Sequence, residues 1–280
     1  MRIIKRNKYY YLQHSYREDG NVKTSEKYLG KEIPKHLEKL KLELGQKEKE
    51  ALHKKLEKIK HEFQQEWKRT PESAKQREKQ EIAIAFTYNT NAIEGSTITL
   101  EETREIIVDK VSPNKLLRDV RETQAHSKVF LEILDTQNDI SRELLLKWHQ
   151  EIFGETKADI AGRFRDFGVR VGMYRAPDWQ DVEKLMKDFF QFLSQKNLHP
   201  VELTARAHYQ FEMIHPFGDG NGRIGRLIMN HLLWHKGYPM LIIEYAKRRS
   251  YYRALQRDEE GFVHYFVQRY LRVHQKKLKQ

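Results

Sequence analysis

The chain has 280 residues, 39% of them hydrophobic and 33% charged, with no cysteine and a formal net charge of +12. That length supports one large domain or two small ones with a substantial core, and the absence of cysteine excludes disulfides and thiolate chemistry. No apolar run is long enough to cross a bilayer, and the start, Met1-Arg-Ile-Ile-Lys5, lacks the apolar stretch of a secretory signal, so a cytoplasmic protein without membrane partners is expected.

Residues 3–30 read as a small β unit. Tyr9 to Leu12 is β-prone, Asp19-Gly20 is a turn signal, and Val22 to Leu29 returns before Gly30, giving a hairpin with a third strand. Residues 34–69 are rich in Lys and Glu. Leu52, Leu56, Ile59, Phe63 and Trp67 keep helical spacing, and Gly45 is expected to divide this helix from an earlier one carrying Leu37, Leu40 and Leu44. Pro71 suits a new helix start, and the pattern over 72–95 stops at Gly95. Thr99-Leu-Glu-Glu102 predicts a capping box opening a short helix to Val108. Helices follow over 116–136 and 141–153, with Leu116, Val120, Val129, Leu131 and Leu134 in a core-facing set. From Phe167 to Met173 apolar residues alternate with Gly and Arg, a strand pattern. Asp178 is placed to cap a helix over 179–195, and Pro200 opens a helix that runs to His215. A turn at 237–239, a short apolar piece at 240–243 and helices near 249–258 and 262–278 complete a mainly α chain.

Charge is unevenly spread. Residues 1–80 carry 22 Lys and Arg against 13 Asp and Glu, nine of the twelve net positive charges. With Tyr9, Tyr10 and Tyr11 beside Arg2, Lys5, Arg6 and Lys8, this front segment is open to three readings: a nucleic-acid-binding surface, an oligomer interface, or a solvated basic face.

The densest chemistry lies in His215-Pro-Phe-Gly-Asp219-Gly220-Asn221-Gly222-Arg223-Ile224-Gly225-Arg226. Gly218 to Asn221 tolerate positive φ and form a tight turn between two helices, so several backbone N–H groups and a helix N-terminus converge on one point. Such a nest binds anions, phosphate above all. Arg223 and Arg226, three apart, share one helix face. His231 and His235 stand four apart without a third candidate ligand and read as packing or surface residues.

The twelve residues match every position of the signature H-x-F-x-[D/E]-G-N-G-R-x-x-R, and by it the chain resembles the Fic (filamentation induced by cAMP) family. The stretch Ala161-Gly-Arg-Phe164 with the strand after it looks like that family's flap. Thr90-Asn-Ala-Ile-Glu94-Gly95 resembles the inhibitory pattern [S/T]-x-x-x-[E/D]-[G/N] of the class whose inhibitor lies N-terminal on the same chain. The resemblance covers about residues 85–275, with no match over residues 1–80, and implies a Fic-type helical bundle with a small β-hairpin flap, preceded by the N-terminal β unit read above. Together the two readings divide the chain into a β-hairpin unit (1–32), a charged helical arm (33–80) and a catalytic domain (81–280) that includes an inhibitory helix at about 81–95.

Fic proteins transfer AMP from ATP to a protein hydroxyl, and the resemblance assigns roles accordingly. His215 would be the general base acting on a Tyr, Ser or Thr of a target protein, since its proton affinity lies near neutrality. Asp219 would hold Mg²⁺. Gly220, Asn221 and Gly222 would form the anion hole, with the Asn221 amide on the phosphates, and Arg223 and Arg226 would neutralise the departing pyrophosphate. Phe217 would pack beneath the loop. Tyr252 resembles a residue near the adenine, although the nearby position that often carries Asn in the family is Glu259 here. Glu94 would pair with Arg226 and restrain the enzyme. Val169, Arg170 and Val171 of the flap would pair main chain to main chain with the target. One alternative is a bifunctional enzyme in which Glu94 also aligns a water that removes AMP from the target. Another is a nucleic-acid-binding regulator working through residues 1–80.

Overall fold

The computed structural model describes residues 1–18, 21–34 and 36–279, so the Asp19-Gly20 turn lies outside the described residues. The front of the chain is a three-stranded antiparallel sheet ordered β1-β2-β3, with β1 at Arg2–Arg6, β2 at Tyr9–Glu18 and β3 at Asn21–Gly30. Arg6 pairs with Tyr9 across a two-residue turn in which Asn7 takes a left-handed φ of 55°, a conformation Asn accepts more readily than most residues. Leu12 is fully buried, whereas Tyr9 and Tyr28 remain exposed on the opposite face, their rings tilted against each other at 5.7 Å.

Helix α1 runs unbroken over Leu37–Arg69, straight through Gly45. An interior glycine costs only about 1 kcal/mol relative to alanine, which is too little to break a helix whose second half is anchored by packing. Leu56 and Ile59 are buried, and Phe63 and Trp67 pack on Trp234 at 5.8 and 5.2 Å. The charged arm is thus fastened along half its length. Helix α2, Glu72–Ile93, follows Pro71 and is continuous across residues 80 and 81. Thr99 forms the expected capping box: its hydroxyl accepts from the Glu102 N–H at 3.2 Å, and the Glu102 carboxylate accepts from the Thr99 N–H at 2.8 Å. The helix it opens, α3 at Leu100–Arg104, widens into a π-turn at Glu105–Asp109 and ends on Lys110 in left-handed conformation.

Helices α4 (Leu117–Asp135) and α5 (Arg142–Phe153) follow. Leu116 does not join the core. It precedes α4 in extended backbone and is 62% exposed, whereas Val129 and Leu134 are buried and Val120 belongs to a small separate cluster with Ile98 and Ile106. The expected strand at 167–173 is shorter than its alternation suggests. Only Arg170–Val171 (β4) pairs, with Tyr174–Arg175 (β5), around Gly172 at φ 58°. Asp178 gives no side-chain cap because its carboxylate accepts from Arg175 at 2.8 Å, and a 3-10 turn at Trp179–Asp181 leads into α6, Val182–Leu193.

Helices α7 (Pro200–Ile214) and α8 (Asn221–His235) form the centre. On one side Phe211, Ile224 and Leu227 join Phe86, Phe130, Trp148, Phe153 and Phe189 from α2, α4, α5 and α6. On the other, Val201, Ala205, Met229 and Leu233 meet α1, α9 (Arg248–Leu255) and α10 (Glu259–Val273). The short helix α11, Gln275–Lys279, returns to α1 through an ion pair of Lys277 with Glu66. Because apolar layers cover α7 and α8 on both faces, the loop joining them is held from both sides. Among the described residues no helix is long and apolar enough to cross a membrane.

Candidate active site

Helix α7 ends on His215, which adopts a left-handed φ of 52° and ψ of 60°. A non-glycine residue in that region costs on the order of 1 kcal/mol, so surrounding bonds must impose it. The His215 N–H donates to the Phe211 carbonyl at 2.9 Å, and the imidazole Nδ1 lies 3.0 Å from the Glu212 carbonyl. A carbonyl only accepts, so Nδ1 carries the proton and Nε2 keeps its lone pair. Burial lowers the His215 pKa below the ordinary histidine value, with the Glu212 bond working in the opposite direction. The ring is therefore a neutral base at physiological pH.

The loop after His215 is built from inside. The Phe217 N–H donates to the Asn221 Oδ1 at 2.8 Å, and the Asn221 Nδ2 donates to the Phe217 carbonyl at 2.9 Å. Asn221 is 2% exposed, so its amide closes the loop and does not reach for phosphate as expected. Gly220 adopts φ 78°, and a Cβ there would strike the Phe153 ring. Its N–H donates to the Asp219 Oδ1 at 2.6 Å and so is also committed within the loop. The groups left for an anion are the N–H groups at the start of α8, Asn221 and Gly222 first, which have no intrahelical acceptor and sit at the positive end of the helix dipole.

The two arginines are both buried, at 6% and 1% exposure for Arg223 and Arg226. Arg223 pairs with Glu122 of α4 and lies 4.3 Å over the Phe153 ring. Arg226 donates to the Glu94 Oε1 at 2.6 Å and to the Thr90 carbonyl at 3.2 Å. Glu94 caps the C-terminal end of α2, with Gly95 beyond it at φ 91°. Burial opposes the Arg226 charge, but the Glu94 and Glu212 carboxylates hold its pKa raised. A Cβ on Gly222 would meet the Glu94 carboxylate, so the end of that side chain lies against the start of α8.

Tyr252 on α9 donates its hydroxyl to the Ile93 carbonyl at 3.2 Å, beside Glu94, and burial raises its pKa to about 12. Glu259 accepts from Arg206 at 3.1 Å. In the flap, Val169 accepts from the Ala176 N–H at 3.2 Å, and Arg170 and Val171 are exposed with no third strand beside them among the described residues. The Tyr174 hydroxyl donates to the Met213 carbonyl at 2.7 Å and ties the flap to the end of α7. His231 and His235 turn their Nε2 atoms to the Asn138 and Ile133 carbonyls at 2.8 and 2.9 Å. Both act as structural donors.

Over residues 139–233 the sequence matches the Fic/DOC family. Residues 139–233 form a Fic/DOC domain. The chain is 34% identical over 195 residues to the protein adenylyltransferase Fic of Nematostella vectensis, covering 67% of this chain and 46% of that protein. Against the protein of the same name from Culex quinquefasciatus it is 37% identical over 199 residues, 68% of this chain and 40% of that one. The chain thus spans less than half the length of these curated relatives. Among solved structures, Fic-1 from C. elegans superposes with a TM-score of 0.69 at 27% identity, covering 88% of this chain and 77% of that one. The bundle with its small flap is the Fic fold.

Five side chains that sequence reasoning passed over complete the site of this Fic domain. His149 of α5 stacks on Phe217 at 4.0 Å, takes the Gly162 N–H on Nδ1 at 3.0 Å and donates from Nε2 to the Asp219 carbonyl at 3.0 Å. Burial lowers its pKa to about 4, so it stays neutral and keeps this tautomer. Arg165, 4% exposed, donates to the carbonyls of His215 (2.7 Å), Phe167 (3.0 Å) and Pro177 (2.7 Å), joining the flap to the loop that follows α7 through one guanidinium. Burial pushes the Glu212 pKa up to about 7 against the pull of Arg226. Glu122 accepts from Thr156 at 2.8 Å besides its pair with Arg223. Lys157 bridges Glu122 and Asp219 at 3.0 and 2.9 Å. Of these, only Arg165 stood in a stretch already marked by a motif, next to Ala161-Gly-Arg-Phe164. The others depend on which helices pack around the loop.

Proposed function

We propose that the chain is a protein adenylyltransferase that moves AMP from ATP to a Tyr, Ser or Thr hydroxyl of a target protein. The observation that carries this reading is the tautomer of His215. Its Nδ1–H is spent on the Glu212 carbonyl, leaving Nε2 as a base at the start of the loop that leads into the free N–H groups of α8. In the reaction Nε2 takes the hydroxyl proton as the target oxygen bonds to the α-phosphorus, and the bond to pyrophosphate breaks. The Asn221 and Gly222 N–H groups stabilise charge on the phosphates, and Arg226 is the cation suited to the departing pyrophosphate. Arg223 contributes positive potential from its place on Glu122 and Phe153.

Asp219 suits a Mg²⁺ ion. Burial opposes its ionisation, but the bond and charge of Lys157 hold its pKa below the ordinary value, and its side chain is 53% exposed. A hard divalent ion takes one or two carboxylates and completes its shell with phosphate and water, so Asp219 alone would be enough protein ligand. When bound, the ion supplies charge neutralisation across the phosphates.

Glu94 is the restraint in this reading. Its carboxylate occupies Arg226, the cation that a nucleotide would need. Residues 169–171 hold the target as an added strand, since their hairpin has an unpaired edge. Incubation of the Glu94→Gly protein with ATP and Mg²⁺, followed by intact-mass spectrometry, tests the chemistry. A mass gain of AMP that His215→Ala abolishes is expected, and no gain, or a gain that survives His215→Ala, overturns the reading.

AMP removal is a second activity consistent with one specific observation. The Glu94 carboxylate lies against Gly222 at the start of α8, a place from which it would orient a water toward phosphorus held at the nest. Incubating a pre-modified target with wild type and Glu94→Gly separates the cases, because only the wild type should release AMP.

A further inference from the structure

Lys157 stands between two carboxylates that belong to different parts of the site. Its ammonium is 2.9 Å from the Asp219 Oδ2 and 3.0 Å from the Glu122 Oε1, and it lies 4.7 Å over the Phe153 ring. The backbone holds it there. The Lys157 N–H donates to the Phe153 carbonyl at 2.7 Å, and the Lys157 carbonyl accepts from Ile160 and Ala161 at 3.1 and 3.0 Å. With Arg223 on the far side of Glu122, the charges alternate along a chain of Arg223, Glu122, Lys157 and Asp219. Two cations and two anions balance, so Asp219 needs no outside cation to be satisfied.

Resting on the reading of Asp219 as the metal carboxylate, we propose that Lys157 is the resident counter-ion of Asp219 and that a divalent cation binds by displacing it. A metal ion on the Asp219 Oδ2 would meet the ammonium at once, and like charges at that separation repel. Glu122 gives the displaced ammonium a second station. It is 5% exposed and also accepts from Arg223 and Thr156, so it stays in place while Lys157 turns away from Asp219. Metal without nucleotide therefore binds poorly. Metal arriving with the negative phosphates of ATP is compensated, and loading of ion and nucleotide is coupled through Lys157.

The test titrates Mn²⁺ into the full chain, with and without a non-transferable ATP analogue bearing an α,β-methylene bridge, and follows free Mn²⁺ by electron paramagnetic resonance. Lys157→Met keeps the stem that lies on Phe153 and removes the charge. Without nucleotide its Mn²⁺ affinity is expected to rise roughly tenfold over wild type, whereas Lys157→Arg stays at the wild-type value. Lys157→Gln carries the same expectation as Lys157→Met should the latter fail to fold. Unchanged or weaker Mn²⁺ binding by the uncharged variants overturns the proposal. Asp219→Ala separates it from the reading beneath: loss of Mn²⁺ binding keeps Asp219 as the metal carboxylate even if Lys157 proves inert, and retained binding removes both.

Discussion

Replacing Glu94 by alanine is expected to loosen the fold and quicken AMP transfer in the same molecule. The Arg226–Glu94 pair is 2.6 Å long, with one partner 1% and the other 31% exposed at the side chain. Breaking a fully buried pair costs about 3–5 kcal/mol and an exposed one less than about 1 kcal/mol. This half-open pair belongs between them, at about 1–2 kcal/mol, because Arg226 keeps its bond to the Thr90 carbonyl. For a chain of this size that loss lowers the melting temperature by roughly 2–3 °C. The same interaction is what ATP must overcome to engage Arg226, so removing it should raise transfer about 5- to 30-fold. Calorimetry of the nucleotide-free protein reads the first effect, and incorporation of label from α-³²P ATP reads the second. ATP should also stabilise Glu94→Ala more than wild type. A variant that melts earlier and labels no faster would make Glu94 a structural helix end and nothing more.

Three further outcomes follow from the same geometry. Asn221→Ala removes both bonds that close the loop at Phe217, and should cost about 2–3 kcal/mol in denaturant unfolding and abolish transfer. The rate of transfer should fall as pH drops through a titration lying below about 6.5, because burial lowers the His215 pKa and only its neutral form is a base; a limb above 6.5 would contradict this placement. Val169→Pro, immediately before β4 of the flap hairpin, should reduce target modification far more than ATP-analogue affinity, and equal loss of both would remove the flap from target binding.

Much of the helical architecture was legible because its signals are local. Apolar spacing located α1, α2 and the helices after them, Pro71 and Pro200 marked helix starts, and Thr99 with Glu102 formed the capping box their three-residue spacing implies. The errors also have local causes. Gly45 looked like a break, yet its cost of about 1 kcal/mol is small beside the packing of Leu56, Ile59, Phe63 and Trp67 further along the same helix. The alternation from Phe167 to Met173 promised a strand, but only two residues pair, and the alternating pattern cannot say how much partner is present.

At the candidate site the residue types alone marked a turn suited to an anion: Gly and Asn between two helices, with a histidine at the end of the first; in the structure Gly220 takes the positive φ and Asn221 already begins α8. Which atoms remain free for an anion was decided in three dimensions. The Asn221 amide and the Gly220 N–H are consumed inside the loop, while Arg223 is held by Glu122, 101 positions earlier. His149, Glu122 and Lys157 come from elements whose nearness to the loop depends on how α4 and α5 stack on α8. No spacing rule carries that information, because packing brings together residues that the chain keeps apart. Glu94 lies on the boundary between the two. Its motif suggested a role, and the packing of the end of α2 against the start of α8 places its carboxylate on Arg226.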